Sequence, residues 1–466
     1  MITFSKAWDS STTTYKDTKY RIILGIEERG IPKLDVYIDK KGYATIGTGF
    51  LVGAQAESIL KTLFARLTPT GAGPTGAQIT TVANAVGGSS GDKKFASAAD
   101  AQTALNTALQ TVLNDSTKTF KFANNDEVTS TFYLIDQQFE KQINRTLSDV
   151  PEGRERVALL SLAYNGLLTT TVSPTLIKDI TTDNNRADAW YQIRYNSNGG
   201  DSKGVGIAKR RFYESSLFGL SADLNAPTQQ EAQQAYKMLN AHRTDIFEYE
   251  KLWGELPSGA HALNEDGSHR TALQALAQDY AGLLNDANLS ASRNATLDNQ
   301  LDPIKNVLLN NLRTQLSASE KAFLPANASV KATALYVADG DSGATLDAGA
   351  FWQYFKDGTS NDVLVGAAGM DNLKGGRGDD VLIGLAGDDT LDGGDDRDTM
   401  IGGNGFDTYI AGDGDTILDI DGKGKVTLDG LALKGGNKLT GDSLLLGLGT
   451  DKQWLGVNRV LRTLWK

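Results

Sequence analysis

Apolar residues recur at helical spacing in the first part of the chain. Ile22, Ile23 and Ile26 fall on one helical face that Pro32 would interrupt, which predicts a helix ending near Glu28. A second helix is predicted over 129–147, where apolar residues repeat at intervals of three and four, at Phe132, Ile135, Phe139 and Ile143.

A twofold alternation follows the first predicted helix. Apolar and polar residues alternate from 36 to 45, on either side of the turn signal Lys40-Lys41-Gly42. This pattern predicts a β-hairpin. The hairpin would bring Asp39, which precedes the turn, close to Thr45, which follows it.

Two further segments stand out by composition. Residues 54–125 are rich in Ala, Thr and Gly, and we interpret them as an insertion, either a loop system or a substrate-binding flap. Residues 223–335 are rich in Ala, Leu, Gln and Asn and contain amphipathic stretches, which predicts a helical spacer.

The last third of the chain repeats every nine residues. An aspartate holds the same place in six consecutive units, at Asp362, Asp371, Asp380, Asp389, Asp398 and Asp407. An apolar or aromatic residue follows each aspartate two positions later. Glycine turns and one inward residue per unit predict a parallel β-roll over 336–421, with 18 residues per coil and a column of aspartates on each side. The alternating tail, 422–466, predicts β-strands that cap the roll.

Composition narrows the chemistry that the chain can perform. The formal net charge of -11 and the pI near 4.9 argue against a nucleic-acid partner, because no basic stripe is present. Cysteine is absent, which excludes thiol catalysis and disulfide scaffolds. The first histidine is His242, so the preceding residues cannot supply a Ser-His-Asp triad or histidine metal ligands. Carboxylate chemistry remains, and the candidate catalytic residues are Glu28, Asp39 and Thr45.

Targeting signals are not evident at the start of the chain. The first 20 residues lack the basic and apolar regions of a cleaved secretion signal. No apolar run approaches the length of about 18 residues that a membrane-spanning helix needs. We therefore expect no transmembrane segment, and we expect export to bypass a cleaved N-terminal signal.

The hairpin motif is more specific than its alternation. It reads Tyr37-x-Asp39-x-x-Gly42-x-x-Thr45-Ile46-Gly47-x-Gly49 and resembles the hairpin signature of the phage-type lysozymes, the family of the T-even phage enzyme. The resemblance implies an α+β lysozyme-like domain over 1–222, mostly helical with a small β-hairpin lobe. It also implies cleavage of the β-1,4 bond between N-acetylmuramic acid and N-acetylglucosamine in peptidoglycan.

The resemblance also implies roles for the candidate residues. In that family a glutamate at the end of the first helix is the general acid, and the hairpin aspartate and threonine handle the attacking water. These roles fall by position to Glu28, Asp39 and Thr45. Water on the face opposite the acid implies inversion, with the two carboxyl groups about 6.5–9.5 Å apart. Arg29 lengthens the link after the helix, so Glu27 stays open as the acid.

Two later segments resemble the closing helices of the same family. They are 156–166, which ends in Asn165-Gly166, and 206–220, which contains Arg210, Arg211 and Glu214. We interpret the charged residues of the second helix as a structural i,i+3 pairing and not as catalytic groups.

The nine-residue repeat is similar to the GGxGxDxUx repeat of the RTX family. This resemblance implies that calcium binds the six repeat aspartates. Columns of carboxylates repel one another without calcium, so the segment is expected to fold only on meeting millimolar calcium. The resemblance to the RTX family also implies export by type I secretion machinery, which reads an uncleaved C-terminal signal that we place in 422–466.

Together these patterns predict a secreted, extracellular muramidase carried on an RTX module. One alternative is a non-catalytic, calcium-dependent protein that binds cell walls or surfaces. Another is the same muramidase delivered as an antibacterial effector by a contractile secretion system, with an immunity protein as a partner. RTX lipases and proteases agree less well with the sequence, because their catalytic motifs are absent from it.

Overall fold

The computed structural model describes residues 1–5, 15–28, 31–69, 71–196, 205–253, 297–316, 318–322, 324, 335–337, 345–347, 361–419, 421–428, 430–432 and 462–465. The chain forms two compact units. The first contains Met1–Asn184 and Gln192–Gly219, and the second contains Asn185–Tyr191 and the described residues from Leu220 onward.

The first unit combines helices with a small antiparallel sheet. Its helices are α1 (Tyr15–Glu28), α2 (Ala56–Leu67), α3 (Gly76–Ala85), α4 (Ala98–Leu113), α5 (Asn125–Thr146), α6 (Arg154–Tyr164), α7 (Pro174–Thr181) and α9 (Val205–Phe218). A short 3-10 turn, Gly88–Ser90, and a π-helical turn, Gln192–Asn196, complete the set. The sheet has the order β1-β2-β3, formed by Lys33–Ile38, Ala44–Gly47 and Phe50–Leu51. The hairpin and the two helices predicted from hydrophobic spacing are therefore confirmed, and α6 and α9 cover the two segments expected to be helical from the resemblance.

The segment 54–125 is helical, which corrects the interpretation of a loop system. Its helices α2, α3 and α4 share one core with the hairpin, where Ile46, Leu63 and Leu105 are fully buried. Helices α3 and α4 start with side-chain caps: the Thr75 hydroxyl accepts from the Gln78 N–H, and the Ser97 hydroxyl accepts from the Asp100 N–H. Small residues in these helices allow close packing, so composition alone misled the interpretation.

A buried polar network joins α1 to α5 and α6. Lys19 forms ion pairs with Asp136 and Glu140, and its nitrogen lies 2.7 Å from Glu140 Oε1. The Arg156 guanidinium donates to Glu140 Oε2 at 2.7 Å, and the Tyr15 hydroxyl donates to Glu140 Oε1 at 2.9 Å. Buried ions need such partners, because an unpaired buried charge is costly. The network therefore holds α1, which ends at Glu28, in one position on the helical core.

The second unit begins with helices. These are α8 (Arg186–Tyr191), α10 (Gln229–Trp253), α11 (Leu297–Gln315) and the short α12 (Ala318–Lys321). A capping box starts α10, because the Thr228 N–H donates to Glu231 Oε2 at 2.9 Å and the Glu231 N–H donates to the Thr228 hydroxyl at 3.2 Å. Helix α8 packs on α10 through Tyr191, whose ring stacks on His242 at 3.9 Å. Among the described helices of the chain, none is both long and apolar enough to cross a membrane.

The rest of this unit is a parallel β-roll of two sheets. The first sheet has the order β15-β12-β10-β8-β6-β4, formed by Arg462–Trp465, Thr416–Asp419, Thr399–Asn404, Val381–Ala386, Val363–Val365 and Leu335–Val337. The second has the order β14-β13-β11-β9-β7-β5, formed by Leu431–Ala432, Gly424–Leu428, Asp407–Ala411, Thr390–Asp395, Asn372–Arg377 and Thr345–Asp347. All pairings are parallel except that of β13 with β14.

The predicted coil length is confirmed by strand register. Leu382 pairs with Met400 in the first sheet and Leu373 with Leu391 in the second, each 18 residues apart. The residue two positions after each repeat aspartate points between the sheets and is fully buried, at Leu364, Leu373, Leu382, Leu391, Met400 and Tyr409. Strands predicted for the tail lie at one edge of each sheet, as β14 and β15.

Each coil also needs a glycine at the start of its repeat. A Cβ on Gly384 would lie 2.2 Å from Asp389 Oδ2 and 2.6 Å from the Gly402 carbonyl oxygen. The same conflict would arise at Gly366 and Gly375. Glycine is required here by close approach of oxygen atoms and not by backbone angle.

Gly384→Ala is therefore expected to destabilise the roll. The added methyl group must displace backbone or a buried carboxylate, and such overpacking costs about 1–3 kcal/mol. Calcium-dependent refolding of the full chain, followed by far-ultraviolet circular dichroism, should require more calcium and end at a lower unfolding temperature.

Gly412→Ala is the matched control within the roll. Its Cβ would meet the Gly394 carbonyl oxygen only at 3.3 Å, so a small shift relieves it. Equal unfolding temperatures for the two variants would contradict the steric argument.

Candidate functional site

Asp39 lies at the tip of the β1–β2 hairpin and organises its turn. Its Oδ1 accepts the N–H of Lys41 at 2.8 Å and the N–H of Tyr43 at 2.9 Å. Its own N–H donates to the Tyr43 carbonyl at 3.0 Å. Aspartate commonly forms turns by accepting a hydrogen bond from the backbone N–H two residues later. Here these hydrogen bonds also fix the orientation of the Asp39 carboxylate.

Thr45 lies on β2 directly opposite Tyr37 of β1. Its hydroxyl donates to the Tyr43 carbonyl at 3.1 Å, and only 4% of the residue is exposed. Asp39 and Thr45 both contact the backbone of Tyr43, so the hairpin brings them close together as predicted, but the threonine is held inside the fold.

The end of α6 contacts the turn that follows β2. The Tyr164 hydroxyl donates to the Thr48 carbonyl at 2.9 Å, and the Tyr164 ring packs on Phe139 at 5.2 Å. Asn165 caps α6 and accepts from Arg210 of α9. The predicted closing helices thus reach the hairpin lobe, and Asn165 is exposed beside that contact.

The predicted pairing within α9 is confirmed. Arg211 forms an i,i+3 ion pair with Glu214, whose other oxygen accepts from Ser161 of α6 at 2.5 Å. Glu214 is fully buried, so this contact holds α9 on α6.

Glu28 is the last residue of α1, as predicted. Arg29 and Gly30, which lengthen the link to the hairpin, lie outside the described residues. The choice between Glu27 and Glu28 as an acid therefore stays a prediction, as does the separation of the two carboxyl groups.

The repeat aspartates form two ladders along the roll. The first ladder contains Asp362, Asp380 and Asp398, and the second contains Asp371, Asp389 and Asp407. After the first member of each ladder, Oδ1 accepts the N–H of the aspartate one coil earlier: Asp380 from Asp362 at 2.7 Å, Asp389 from Asp371 at 2.8 Å, Asp398 from Asp380 at 2.8 Å and Asp407 from Asp389 at 3.0 Å. Each of these side chains is at least 96% buried. Buried carboxylates stacked in this way need a counter-charge.

Asp415 extends the first ladder and was missed in the sequence. Its Oδ1 accepts the Asp398 N–H at 2.9 Å although the two residues are 17 apart. The period of nine shortens to eight at this unit, because Thr416 pairs with Thr399. The motif Gly412-Asp413-Gly414-Asp415, followed by buried Ile417, was the available signal.

The second oxygens of the inner aspartates face backbone oxygens. Oδ2 of Asp380 and Oδ2 of Asp389 are buried and have no hydrogen-bond donor among the described residues. At Gly375, Asp380 Oδ2 and the Gly393 carbonyl lie within 2.6 Å of one point, the place of a missing Cβ. No group of three or more acidic or histidine side chains suited to a metal occurs among the described residues. A cation here would be held by carboxylate and carbonyl oxygens, the donor set that calcium prefers.

Burial raises the pKa values of these carboxyl groups. The pKa of Asp380 rises from 3.8 to about 9, because burial and the neighbouring carboxylates outweigh the N–H donated by Asp362. Burial likewise raises the pKa of Asp398 to about 8, and that of Asp389 to about 6. Without a cation, Asp380 and Asp398 therefore favour the protonated form near neutral pH in the folded roll.

Comparison with known families agrees with this geometry. Residues 347–382, 356–391 and 374–409 match the model of the RTX calcium-binding nonapeptide repeat, described in four copies. The roll is an RTX calcium-binding module. Proteins with such repeats are typically secreted through type I machinery. No curated protein matches the chain. The protein therefore combines a helical N-terminal region with a calcium-binding parallel β-roll.

The stability of the roll should fall with rising pH in the absence of calcium, and calcium should remove this fall. A carboxyl whose pKa is raised on folding, as for Asp380, keeps its proton in the folded state while the unfolded state releases it. In chelator, the unfolding temperature should fall as pH rises from about 4 toward 9, by at least about 5 °C, since 1 kcal/mol corresponds to about 4–8 °C in a small domain.

In millimolar calcium the carboxylates are ionised and paired, so this fall should disappear above the ordinary aspartate range. Thermal unfolding at several pH values, followed by circular dichroism, measures the pH dependence in chelator and in calcium. A rise of unfolding temperature with pH in chelator would contradict the buried-carboxyl account.

Proposed function

We propose that the protein is a secreted muramidase whose helical N-terminal unit cleaves peptidoglycan and whose RTX roll folds on calcium. The observation that carries the proposal is the helix-to-hairpin arrangement. Helix α1 ends at Glu28, and the hairpin that follows presents Asp39 at its tip with its carboxylate oriented by two backbone N–H groups. A glycosidase of this kind needs two carboxyl groups on separate, rigid elements.

In this proposal Glu28 is the general acid. Its protonated carboxyl gives a proton to the glycosidic oxygen as the bond to the leaving sugar breaks. The Lys19 network fixes α1 on α5 and α6, and so supports a constant position for the end of the helix.

Asp39 and Thr45 act on the attacking water. Ionised Asp39 accepts a proton from a water molecule on the opposite face of the sugar, and that water attacks the anomeric carbon. Thr45 steers this water through its hydroxyl, or fixes the β2 backbone beneath it. The product has inverted configuration, because water attacks once from the face opposite the leaving group.

The aspartate columns are the proposed calcium ligands. They are Asp362, Asp371, Asp380, Asp389, Asp398 and Asp407, extended by Asp415. When bound, calcium neutralises the buried carboxylates and permits the coils to stack. Low calcium inside the cell keeps the roll unfolded for passage through type I machinery, and calcium outside folds it.

Burial of Thr45 favours a second candidate function. With 4% of the residue exposed and its hydroxyl donated to Tyr43, Thr45 has a complete structural role in the hairpin. Asp39 likewise has one in the turn. The N-terminal unit could then bind peptidoglycan without cleaving it, as a calcium-dependent cell-wall module.

Clearing of purified peptidoglycan separates the two candidates. In calcium, wild type should clear the suspension, and Glu28→Gln should lower the rate by about 10²–10⁴-fold, since it removes the proton donor but keeps the side-chain shape. Glu27→Gln, one residue earlier on the same helix, is the matched control and should leave the rate nearly unchanged.

The result also decides the identity of the acid. Loss of clearing in Glu27→Gln alone would transfer the role to Glu27. Equal clearing by wild type and both variants would contradict the carboxylate mechanism. Absence of clearing by wild type, together with sedimentation of the protein with peptidoglycan, would establish the binding module instead.

A further inference from the structure

A cavity of about 270 Å³ lies in the first unit, between the loop that follows α6 and the π-helical turn. One wall is formed by residues 167 and 172–176, and the other by Gln192 and Asn196. None of these lining residues is charged. Pockets for small ligands usually measure about 300–1,000 Å³. The cavity lies just below this range, so it suits one ring-sized group and not an extended chain.

The first wall is held in shape by hydrogen bonds. The Ser173 hydroxyl donates to the Leu167 carbonyl at 2.5 Å, and the Ser173 N–H donates to the Thr169 carbonyl at 2.9 Å. From α5, the Gln142 side chain donates to the Leu168 carbonyl at 2.5 Å. These contacts fix the loop between α6 and α7, so the cavity is pre-formed, as ligand pockets usually are.

The second wall is the π-helical turn, which has a buried anchor. Arg194 is fully buried, and its guanidinium carbon lies 3.6 Å from the centre of the Phe212 ring of α9. Gln192 and Asn196 are the two ends of the turn, and Asn196 Nδ2 donates to Gln192 Oε1 at 2.8 Å. Single π-helical turns occur frequently at functional sites.

The amide pair leaves one donor and one acceptor for a ligand. Gln192 Nε2 and Asn196 Oδ1 have no hydrogen-bond partner among the described residues. Exchanging the oxygen and nitrogen of both amides would leave the same pair, one donor and one acceptor. Primary amides in a pocket fix the orientation of a ligand in this way.

The opposite wall offers apolar surface. Val172 is 55% exposed, although it lines the cavity together with Pro174 and the buried Leu176. A ligand that matches both walls carries a methyl group, a carbonyl and an N–H on neighbouring atoms. The acetamido group of an N-acetylated sugar has this composition.

The cavity begins at the end of α6 that contacts the hairpin. The Tyr164 hydroxyl donates to the Thr48 carbonyl at 2.9 Å, and the Leu167 N–H donates to the Leu162 carbonyl of α6 at 2.9 Å. Three residues span at most about 11 Å, so the cavity wall at Leu167 lies close to this contact. A glycan strand held at the hairpin can therefore reach the cavity with a neighbouring sugar.

We propose that this cavity binds the acetamido group of an N-acetylated hexosamine. The acetamido carbonyl accepts from Gln192, its N–H donates to Asn196, and its methyl group packs on Val172. The inference rests on the proposed action on peptidoglycan, because both sugars of that polymer carry an acetamido group. The cavity thereby selects N-acetylated strands and holds them beside the hairpin.

Saturation-transfer NMR with the calcium-loaded full chain and N-acetylglucosamine tests the inference. This monosaccharide has no glycosidic bond to cleave, so its binding is measured whether or not the protein is a glycosidase. Saturation should be strongest at the acetyl methyl protons, and glucose, which lacks the acetamido group, should not bind measurably. Gln192→Glu keeps the acceptor for Asn196 but replaces the donor with a carboxylate, and should weaken binding about 10-fold.

Two further variants separate binding from folding. Gln137→Glu makes the same chemical change at an exposed glutamine of α5 outside the cavity, and should bind N-acetylglucosamine like wild type. Val172→Ala alters an exposed position, so the fold is retained, and should weaken binding about fourfold through the lost methyl contacts.

The outcomes also distinguish this inference from the proposed muramidase. Equal affinity of wild type, Gln192→Glu and Val172→Ala would overturn the cavity assignment, as would equal binding of glucose and N-acetylglucosamine. Absence of N-acetylglucosamine binding by wild type would overturn it even if wild type clears peptidoglycan. Binding that depends on Gln192 without any clearing would support the cavity assignment and contradict the muramidase.

Discussion

The roll depends on the close approach of buried carboxylates to glycine backbone. Where Gly384 meets Asp389 there is no room for a Cβ, and the aspartate is at once a backbone acceptor and an uncompensated buried charge. One oxygen of the carboxylate ties its coil to the neighbouring coil, and the other remains for a cation. We therefore expect calcium to stabilise the folded roll, because stacked buried carboxylates are costly without the charge that calcium supplies.

The helical unit solves a similar problem without metal. Lys19 and Arg156 bring two positive charges to Asp136 and Glu140, and the network spans three helices. Burial still raises the pKa of Asp136 to about 6, against the opposing effect of Lys19. These paired charges hold α1 on α5 and α6. The stability of the roll thus depends on a cation from solution, whereas the buried charges of the helical unit are paired within the protein.

The ends of the ladders show how a repeat stops. Within the roll, successive coils repeat the same hydrogen bond from a backbone N–H to the aspartate of the next coil. Gly424 lies opposite Asp407, so this ladder has no aspartate in the next coil, and the Tyr409 hydroxyl lies beside Asp407. The other ladder continues to Asp415 through a coil of 17 residues. The two ladders therefore end differently, one opposite a glycine and the other at an aspartate.

The sequence by itself determined the features that rest on short-range periodicity. Alternation predicted the hairpin that carries Asp39 and Thr45, and the period of nine predicted the coil and its inward residues, since backbone geometry alone sets these spacings. Tertiary structure alone decided the rest. Asp415 joins a ladder because strand pairing absorbs a one-residue deletion, residues 54–125 fold as helices because they share the hairpin's core, and Thr45 is buried by that packing. These outcomes depend on contacts between distant segments, which no local pattern records.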